Sequence, residues 1–368
     1  MTNQLPVNLH DYALAAQARL DPATWAYLHG TAADGLTLAD NLAAWSRLTL
    51  LPRVLRQLAG GHTRLTLLGR PCAHPILLAP VAYQKLAHAD GELGTACAAA
   101  AQEAGMVLSM QASTPLEDVA ATIGHEPGRG PMWMQLYPHP DRGFMRDFLQ
   151  RVETAGYEAL VITADAPTSG ARDEERRHGF QFPPGIRAVN LDAAPAVASR
   201  MPPPGQSALF DHLLHQAPTW DDIAWLQGQT RLPIVLKGIL HEDDAKQAAG
   251  MGVQGLIVSN HGGRTLDTAV STAWALPRIV QAVGDAMPVL VDGGIRRGTD
   301  VLKALALGAK AVLIGRPAVH ALAAAGPQGV AHVIRLLRDE FEIAMALCGC
   351  RTLDDIGPAL IVRDGRAG

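Results

Sequence analysis

Short apolar runs alternate with amphipathic stretches along most of the chain. Each apolar run is continuous, as expected for a strand of a parallel sheet that is covered on both faces. The runs predict eight strands, over residues 76–82, 106–112, 132–138, 159–165, 234–239, 255–261, 289–294 and 311–316. Amphipathic stretches between them, several closed by a glycine, predict helices over residues 91–105, 141–156, 242–250 and 300–308.

Eight strand–helix units in this order are typical of an α/β protein with a (β/α)8 TIM-barrel fold. The chain has 368 residues, which is within the range of one such barrel with insertions. We therefore expect a single barrel domain over residues 1–368.

Two segments do not follow the repeat. Residues 1–75 precede the first strand, and the pattern over residues 11–30 predicts helices packed beside the barrel, so we expect an N-terminal helical extension. Residues 166–218 follow the fourth strand, and the prolines at 183–184 and 202–204 interrupt any continuous helix. A long irregular segment at this position predicts a lid or mobile loop over the catalytic face.

Composition narrows the classes of partner. A net charge of −4 and the lack of a basic stripe interleaved with aromatic residues argue against a nucleic acid. No window approaches the length of a membrane span, and residues 1–6 do not have the pattern of a signal peptide. Residues 364–368 carry no targeting tripeptide. We expect a cytoplasmic protein without a membrane or nucleic-acid partner.

The cysteines do not have the spacing of a zinc site or of a disulfide framework. We expect four free thiols and no metal, the residues being Cys72, Cys97, Cys348 and Cys350.

Polar side chains collect at the C-terminal ends of the predicted strands, where the active sites of this barrel lie. A buried polar side chain is costly unless it is paired, so several together predict a cavity or a bound ligand. Any one of them alone fits a satisfied core residue equally well. They are Gln135, Tyr137, Thr163, Asp165, Lys237, Ser259, His261 and Asp292.

Residues 259–264, Ser-Asn-His-Gly-Gly-Arg, place an imidazole three positions before a guanidinium. His261 offers a base that works near neutral pH, and Arg264 offers a planar fork for a carboxylate. Gly262 and Gly263 permit backbone conformations closed to other residues, so both side chains can face one point. The segment predicts an acid substrate with a removable proton.

The last two predicted strands each end in glycine and arginine. The two motifs are Asp292-Gly293-Gly294-Ile295-Arg296 and Ile314-Gly315-Arg316. The loops after strands seven and eight are the usual phosphate site of this barrel, and glycines expose the backbone N–H groups that bind it. Turn glycines and solvated arginines would explain either motif alone, whereas both motifs together favour a phosphate group.

These motifs, in this order, resemble the FMN-dependent α-hydroxy acid oxidases and dehydrogenases, which include glycolate oxidase, lactate oxidase and mandelate dehydrogenase. The resemblance extends from about Asp11 to Ile356. It is densest at residues 79–85, 135–137, 237–238, 259–264 and 292–316.

The resemblance implies roles for residues at the substrate. His261 matches the catalytic base, Asp165 the carboxylate that orients it, and Arg264 the clamp on the substrate carboxylate. Tyr27 matches a tyrosine that joins the clamp, and Tyr137 one that binds the substrate hydroxyl. Further substrate-binding positions are Arg172 and Gln111.

The resemblance also implies that FMN is the cofactor. Pro80, Val81 and Ala82 match the segment against the flavin ring, and Lys237 matches the lysine beside N1 and O2 of the isoalloxazine. The other implied cofactor-binding residues are Ser109, Gln135 and Thr163, which hydrogen-bond the flavin, Arg296 and Arg316, which bind the phosphate, and Ser259, Asp292, Gly293, Gly294 and Gly315.

The chemistry requires these residue types. Oxidation of a 2-hydroxy acid to a 2-oxo acid removes two electrons and two protons, and no side chain accepts the electron pair, so a flavin is needed. His261 suits removal of a proton, and Asp165 would stabilise the imidazolium. Lys237 would place positive charge where the reduced flavin gains negative charge. Hydride transfer with loss of the hydroxyl proton and carbanion formation by loss of the Cα proton use the same base, and the residues do not distinguish them.

Several positions depart from the family pattern. Gln111 stands where glycolate oxidase has a tryptophan, and Val81 where it has a threonine. Thr31 and Ala33 replace a glycine and a glutamate, and Thr168 and Ala171 replace arginines. The substrate is therefore left open among lactate, glycolate and an aromatic hydroxy acid such as mandelate. The electron acceptor is also left open. It is O2, which would form H2O2, or a quinone, or another acceptor.

Two other classes of protein share part of the pattern. A flavin-free, phosphate-binding barrel isomerase would share Gly293, Gly294 and Gly315 but has no need of Lys237. A non-catalytic barrel would use the histidine and the arginines only to hold an anion. The ordered series of motifs favours the oxidoreductase, and the resemblance implies a homo-oligomer, a tetramer.

Overall fold

The structure is a computed structural model that describes residues 5–195, 203, 205–211 and 213–362. Three predictions from the sequence fall wholly or partly outside the described residues. They concern the C-terminal residues 364–368, most of the N-terminal segment 1–6, and parts of the segment 166–218, including prolines 202 and 204.

Eight parallel strands close a barrel in chain order, and the last strand pairs with the first. This confirms the predicted (β/α)8 architecture. The strands are β1 Ile76–Leu78, β2 Gly105–Ser109, β3 Met132–Leu136, β4 Ala159–Thr163, β5 Ile234–Ile239, β6 Gly255–Val258, β7 Val289–Val291 and β8 Ala311–Ile314.

Helices precede the barrel and cover its outer face. The helices are α1 Leu9–Arg19, α2 Pro22–His29, α3 Leu36–Arg47, α4 Gly91–Ala101, α5 Leu116–Ile123, α6 Arg142–Thr154, α7 Asp173–Arg177, α8 Trp220–Gln227, α9 Glu242–Gly250, α10 Thr272–Val283, α11 Gly298–Ala306 and α12 Arg316–Leu347. Helix α12 is interrupted by non-helical backbone at Ala325 and Gly326.

Most predicted strands extend too far at their C-terminal ends. Strand β6 ends at Val258, three residues before the predicted end at His261, and β1 ends at Leu78. The apolar run continues past the hydrogen-bonded ladder because these residues turn away from the sheet toward the site. His261 has a φ of 56°, which is left-handed backbone that no strand uses.

The N-terminal extension is helical only as far as Arg47, which corrects the expectation for residues 1–75. Residues 49–50 pair with 361–362, and residues 65–67 and 70–72 form an antiparallel hairpin. Pro52, with Gly60 and Gly61, explains the loss of helix in this stretch. Helix α3 was missed because it starts after Gly35, where no side chain caps it.

The interior of the barrel is filled by apolar side chains from all eight strands. These side chains are buried and form one cluster, with Leu77, Val107, Trp133, Val161, Val235, Ile257, Leu290 and Leu313 among them. Leu67 and Cys72 of the hairpin belong to the same cluster and close the N-terminal end of the barrel. Polar side chains therefore meet at the opposite, C-terminal end.

The described part of the segment 166–218 contains α7 and short 3-10 turns at Val189–Leu191 and Leu213–Gln216. Asn190 anchors it, because its buried amide accepts from Leu116 N at 2.9 Å and donates to Thr114 O at 3.1 Å. Near α7, the Phe180 ring stacks on Tyr27 of α2 with centroids 4.5 Å apart. The mobility of this segment stays a prediction.

Over the part of the chain that the structure describes, no helix is long and apolar enough to cross a membrane. Within the same residues no group of side chains has the arrangement of a metal site. All four cysteines are free thiols, as expected.

Candidate active site

An imidazole and a carboxylate form the centre of the site at the C-terminal end of the barrel. His261 Nδ1 lies 2.9 Å from Asp165 Oδ1. His261 follows β6 and Asp165 follows β4, so two loops bring together residues 96 positions apart. The bond to Asp165 fixes Nδ1 and leaves Nε2 available for a proton.

Backbone geometry explains how these two side chains meet. Gly238 forms an irregularity in β5, and a Cβ atom there would lie 2.5 Å from Asp165 Cβ. Only glycine leaves room for Asp165 at this point. On the other loop, His261, Gly262 and Gly263 all have positive φ, at 56°, 62° and 74°. The sequence predicts this freedom at the two glycines but not at His261.

The electrostatic environment keeps the imidazole neutral and the carboxylate charged. Burial, and then the positive charge of Lys237, lower the pKa of His261 despite the opposing effect of Asp165. Burial alone would raise the pKa of Asp165, but His261 and Lys237 hold it below its usual value. A neutral imidazole beside a carboxylate is the state that a general base requires.

Lys237 is a buried cation with partners on two neighbouring strands. Its Nζ donates to Ser259 Oγ at 3.0 Å and lies 3.3 Å from Asp292 Oδ2. Burial would lower the pKa of Lys237, but Asp292 and Asp165 outweigh it and the pKa is raised. Asp292 Oδ1 is buried and has no hydrogen-bond partner among the described residues, so it can accept from a ligand hydroxyl.

The predicted carboxylate clamp comes together from three separate elements. Arg264 lies over the ring of Tyr27, with Cζ 5.7 Å from the centroid, and its Nη1 donates to Gly30 O at 2.9 Å. Burial raises the pKa of the Tyr27 hydroxyl, and the positive charges of Arg264 and Arg172 act against that rise. Burial, followed by Arg264, lowers the pKa of Arg172 to about 10. Two guanidinium groups near one point are a strong anion site.

Tyr137 belongs to the same site. It follows β3, and burial raises the pKa of its hydroxyl, with a further contribution from Asp165. The charges of Lys237, Arg264 and Arg172 oppose this rise in pKa, so the phenol lies within electrostatic range of the predicted clamp residues and of the lysine.

Gln111 and Val81 lie where the barrel meets an aromatic wall. The carbonyl of Gln111 accepts from Tyr83 N at 3.2 Å. The Tyr83 ring packs 4.5 Å from Phe182 and 6.2 Å from Tyr27. The wall, which consists of Tyr27, Tyr83, Phe180 and Phe182, was not foreseen, because its members come from three distant parts of the chain.

The predicted flavin-binding amides and hydroxyls form a hydrogen-bonded row. Ser109 Oγ donates to Gln135 Oε1 at 3.0 Å, and Gln135 Nε2 donates to Thr163 Oγ1 at 3.0 Å. All three are buried. The row fixes the orientation of the Gln135 amide at the barrel mouth.

The predicted phosphate end combines glycines with two buried arginines. Gly293 and Gly294 have φ of 87° and 90°, and Gly315 precedes the N-terminus of α12. A Cβ atom on Gly315 would meet only Ala79 and Val81, at 3.7 and 3.9 Å, so the segment of Pro80, Val81 and Ala82 borders this cradle. A helix N-terminus lined with glycine suits a phosphate group.

Neither arginine forms an ion pair with a carboxylate among the residues that the structure describes. Burial is the main cause that lowers the pKa of Arg296, to about 10, and that of Arg316 well below its usual value. Arg316 donates to the carbonyls of His29, Gly30 and Gly262 at 2.7–2.9 Å, which uses three of its five N–H groups. Buried arginines whose pKa values are lowered by burial fit a dianionic phosphate, which would stabilise their charged form. Together with Lys237 and Asp292, these arginines and glycines fit FMN.

Three features of the site were not found from the sequence. Asn41 of α3 and Asn260 exchange two amide hydrogen bonds, at 2.8 and 2.9 Å, and both are buried. His29 and His320 stack with ring centroids 5.3 Å apart beside Arg316. Glu175 lies near both Arg172 and Arg264. Only Glu175 carried a signal in the sequence, its spacing of three residues from Arg172, which brings two side chains together on a helical turn.

Known proteins match almost the entire chain. The family model of FMN-dependent dehydrogenases matches residues 16–363.

The chain belongs to the FMN-dependent dehydrogenase family.

Several relatives align over nearly their full length. An L-lactate oxidase of Roseobacter sp. (strain GAI101) is 49% identical over 97% of this chain and 95% of its own. Glycolate oxidase of Spinacia oleracea is 41% identical over 97% of this chain and 96% of its own. A crystal structure of mandelate oxidase with (S)-2-phenylpropionate superimposes with a TM-score of 0.86 and 39% identity, over 97% of this chain and 98% of that one.

These findings confirm four predictions: the family, the barrel fold, FMN as the cofactor, and an enzyme of FMN-dependent 2-hydroxy acid oxidation. The flavin-free isomerase and the non-catalytic anion-binding barrel are set aside, because neither is a flavoenzyme. The individual roles of the site residues stay predictions.

Proposed function

We propose that this protein oxidises a small L-2-hydroxy acid to the 2-oxo acid and passes the electrons to O2, which forms H2O2. The observation that carries the proposal is the His261–Asp165 pair at 2.9 Å beside the arginines of the clamp. It places a neutral base next to a carboxylate site, as a 2-hydroxy acid requires. O2 is proposed as acceptor because the relatives are named oxidases.

L-Lactate is the first substrate to test, because an L-lactate oxidase is 49% identical to this chain. Mandelate is the second candidate, and the aromatic wall of Tyr27, Tyr83, Phe180 and Phe182 supports it. An aromatic side chain on the substrate would pack well against these rings. Gln111 and Val81, at the edge of the wall, would then set the size of the substrate side chain.

The roles of the substrate-binding residues follow from their chemistry. Arg264 and Arg172 bind the substrate carboxylate, and the hydroxyl group of Tyr27 assists them. Tyr137 hydrogen-bonds the substrate hydroxyl. With the acid held at both groups, the carbon that bears the hydroxyl is fixed beside His261 Nε2.

The base then acts at a defined atom. His261 Nε2 takes a proton from the bound acid, and Asp165, hydrogen-bonded to Nδ1, stabilises the imidazolium that forms. FMN, when bound, accepts the electron pair. Lys237 would supply a fixed positive charge for the negative charge that a bound flavin gains on reduction, and Asp292 keeps that lysine protonated.

The cofactor is proposed to be held along the barrel mouth. Pro80, Val81 and Ala82 would lie against the ring, with Ser109, Gln135 and Thr163 as polar partners. Ser259 and Asp292 would complete the polar contacts. Gly293, Gly294, Gly315, Arg296 and Arg316 would bind the phosphate.

The wider organisation is proposed on the same basis. Residues 1–368 would form one domain, with residues 166–218 as a lid over the site. We further propose a cytoplasmic location and a homotetramer, the latter from the resemblance alone.

One experiment tests both substrate and acceptor. The purified yellow protein is mixed anaerobically with L-lactate, glycolate, L-mandelate or D-lactate. The visible absorbance of the flavin is followed before and after O2 is admitted. We expect bleaching by L-acids and fast return of colour with O2. No bleaching by any acid would refute the proposed activity, and slow reoxidation would refute O2 as the acceptor.

A further inference from the structure

A carboxylate of the lid segment lies between the two arginines of the clamp. Glu175 Oε1 is 3.8 Å from Arg172 Nε and 3.8 Å from Arg264 Nη2. The three side chains are equally shielded, each with 19% of its surface exposed. Glu175 Oε1 therefore lies at the same distance from both guanidinium groups.

The local fold holds Glu175 in this place. It lies on helix α7, which spans Asp173–Arg177 and packs against α2. Its carbonyl accepts from Phe180 N at 3.0 Å, and the Phe180 ring stacks on Tyr27 at 4.5 Å. The acid is thus tied to the ring that flanks Arg264.

The contacts of Glu175 with the arginines are ion pairs without hydrogen bonds. A separation of 3.8 Å exceeds the range of an N–H···O bond. Among the described residues, Glu175 Oε1 and Arg172 Nη1 are both buried and without hydrogen-bond partners. The clamp therefore keeps unused donors while its positive charge is partly neutralised.

A substrate carboxylate would compete with this arrangement. It can approach the unused donors to hydrogen-bond distance, but it then shares two cations with a second anion. Like charges near one site oppose each other strongly where water is largely excluded. Binding of any carboxylate, substrate or product, is weakened by the charge on Glu175.

We propose that Glu175 is an internal counter-anion that limits the affinity of the clamp for carboxylates and so promotes release of the 2-oxo acid. This inference rests on the proposed function, because it takes Arg172 and Arg264 as the carboxylate clamp. Glu175 acts through the two arginines and is not itself a catalytic residue.

Glu175→Gln in the FMN-loaded enzyme tests the proposal, since it removes the charge and keeps the shape. Pyruvate and phenylglyoxylate are titrated into the wild type and into the variant. The neutral amide of each acid is titrated separately for comparison, and binding is measured by the change in flavin absorbance. We expect the dissociation constants of the two acids to fall at least about tenfold and those of the amides to stay within about twofold. In turnover, KM and kcat should both fall, as product release becomes slower.

Glu174→Gln is the matched control. Glu174 is the preceding residue on α7, and its side chain is 48% exposed and paired with Arg177. This variant removes the same charge outside the clamp and should leave all four dissociation constants unchanged. Glu175→Ala removes the charge with a shorter side chain and should tighten the acids as Glu175→Gln does.

Unchanged or weaker binding of the acids to Glu175→Gln would overturn the inference, as would equal tightening of acids and amides. The proposed function is tested separately by flavin reduction in the wild type. If the wild type is reduced by no 2-hydroxy acid, the proposed function fails. If it is reduced but Glu175→Gln binds the acids as the wild type does, only the role of Glu175 fails.

Discussion

At the residue scale, the proposed activity depends on which side chains of the site carry protons and charges. His261 is kept neutral by burial and by Lys237, while Asp165 stays charged beside it. Neither state follows from residue type alone, since an exposed histidine would titrate near pH 6.5. The environment depends on the loop backbone, whose left-handed conformation at His261 accompanies the contact of the imidazole with Asp165.

Arg264→Lys tests the carboxylate clamp. An ammonium group cannot form the paired hydrogen bonds of a guanidinium, so we expect KM for the 2-hydroxy acid to rise at least about tenfold, or about 1.4 kcal/mol. Steady-state kinetics measure the change. Arg278→Lys is the control, because Arg278 is 43% exposed and packs on Trp274. An unaltered KM in Arg264→Lys would move the clamp elsewhere.

At the scale of elements, helix α3 is part of the site although it lies outside the barrel. Asn41 pairs with Asn260, the residue before the base, and also accepts from Thr272 N at 3.1 Å. Trp45 Nε1 donates to Gly293 O at 2.8 Å. One helix therefore positions both the loop of the base and the phosphate-binding loop.

Asn41→Ala should destabilise the protein by about 2–4 kcal/mol, because it removes the partner of the buried Asn260 Oδ1 and of Thr272 N, while Asn260 Nδ2 keeps its bond to Val270 O. Urea unfolding gives the free-energy change, and the rate of flavin reduction should fall with it. Asp40→Ala on the same helix removes only an exposed ion pair with Arg47 and should cost less than about 0.5 kcal/mol. Equal stability of the two variants would refute the role of α3.

The N-terminus of α12 is the element assigned to the phosphate. Arg316→Ala should raise the dissociation constant of FMN at least about tenfold, since it removes a buried cation from that end. Fluorescence of released flavin on dilution measures it. Arg335→Ala, on the same helix and paired with Asp339 at the surface, should retain FMN as the wild type does. A fully flavinated Arg316→Ala protein after extensive dialysis would contradict the assignment.

The elements show what the sequence could and could not predict. The eight strands were recognisable because continuous apolar runs such as 159–163 are buried on both faces. Their ends were not, because His261 and Asp292 leave the ladder through backbone turns that apolar character does not record. The pairing of Asn41 with Asn260 spans 219 positions and arises only from tertiary packing.

At the scale of the whole molecule, buried neutral histidines make stability depend on pH. Burial is the main cause that lowers the pKa of His29 and of His74 to about 4. In the unfolded chain each would titrate near 6.5. Below that pH the unfolded state binds protons that the native state does not, so stability is lost as the pH falls.

Each such histidine should remove up to about 1.4 kcal/mol of unfolding free energy per pH unit between about pH 6.5 and 4. Urea unfolding at pH 7, 6 and 5 should therefore show a decreasing free energy, and His74→Gln should have a shallower slope than the wild type. A free energy that is constant or increases toward pH 5, or an unchanged slope in His74→Gln, would contradict this account.

The central claim is that His261 removes a proton from the bound 2-hydroxy acid. Anaerobic stopped-flow reduction of the flavin tests it most directly, with His261→Gln compared with the wild type and with His125→Gln, an exposed histidine. We predict that His261→Gln retains FMN and that its rate constant for flavin reduction falls about 10²–10⁴-fold, while His125→Gln matches the wild type. Rapid flavin reduction in His261→Gln, at a rate near that of the wild type, would contradict the claim.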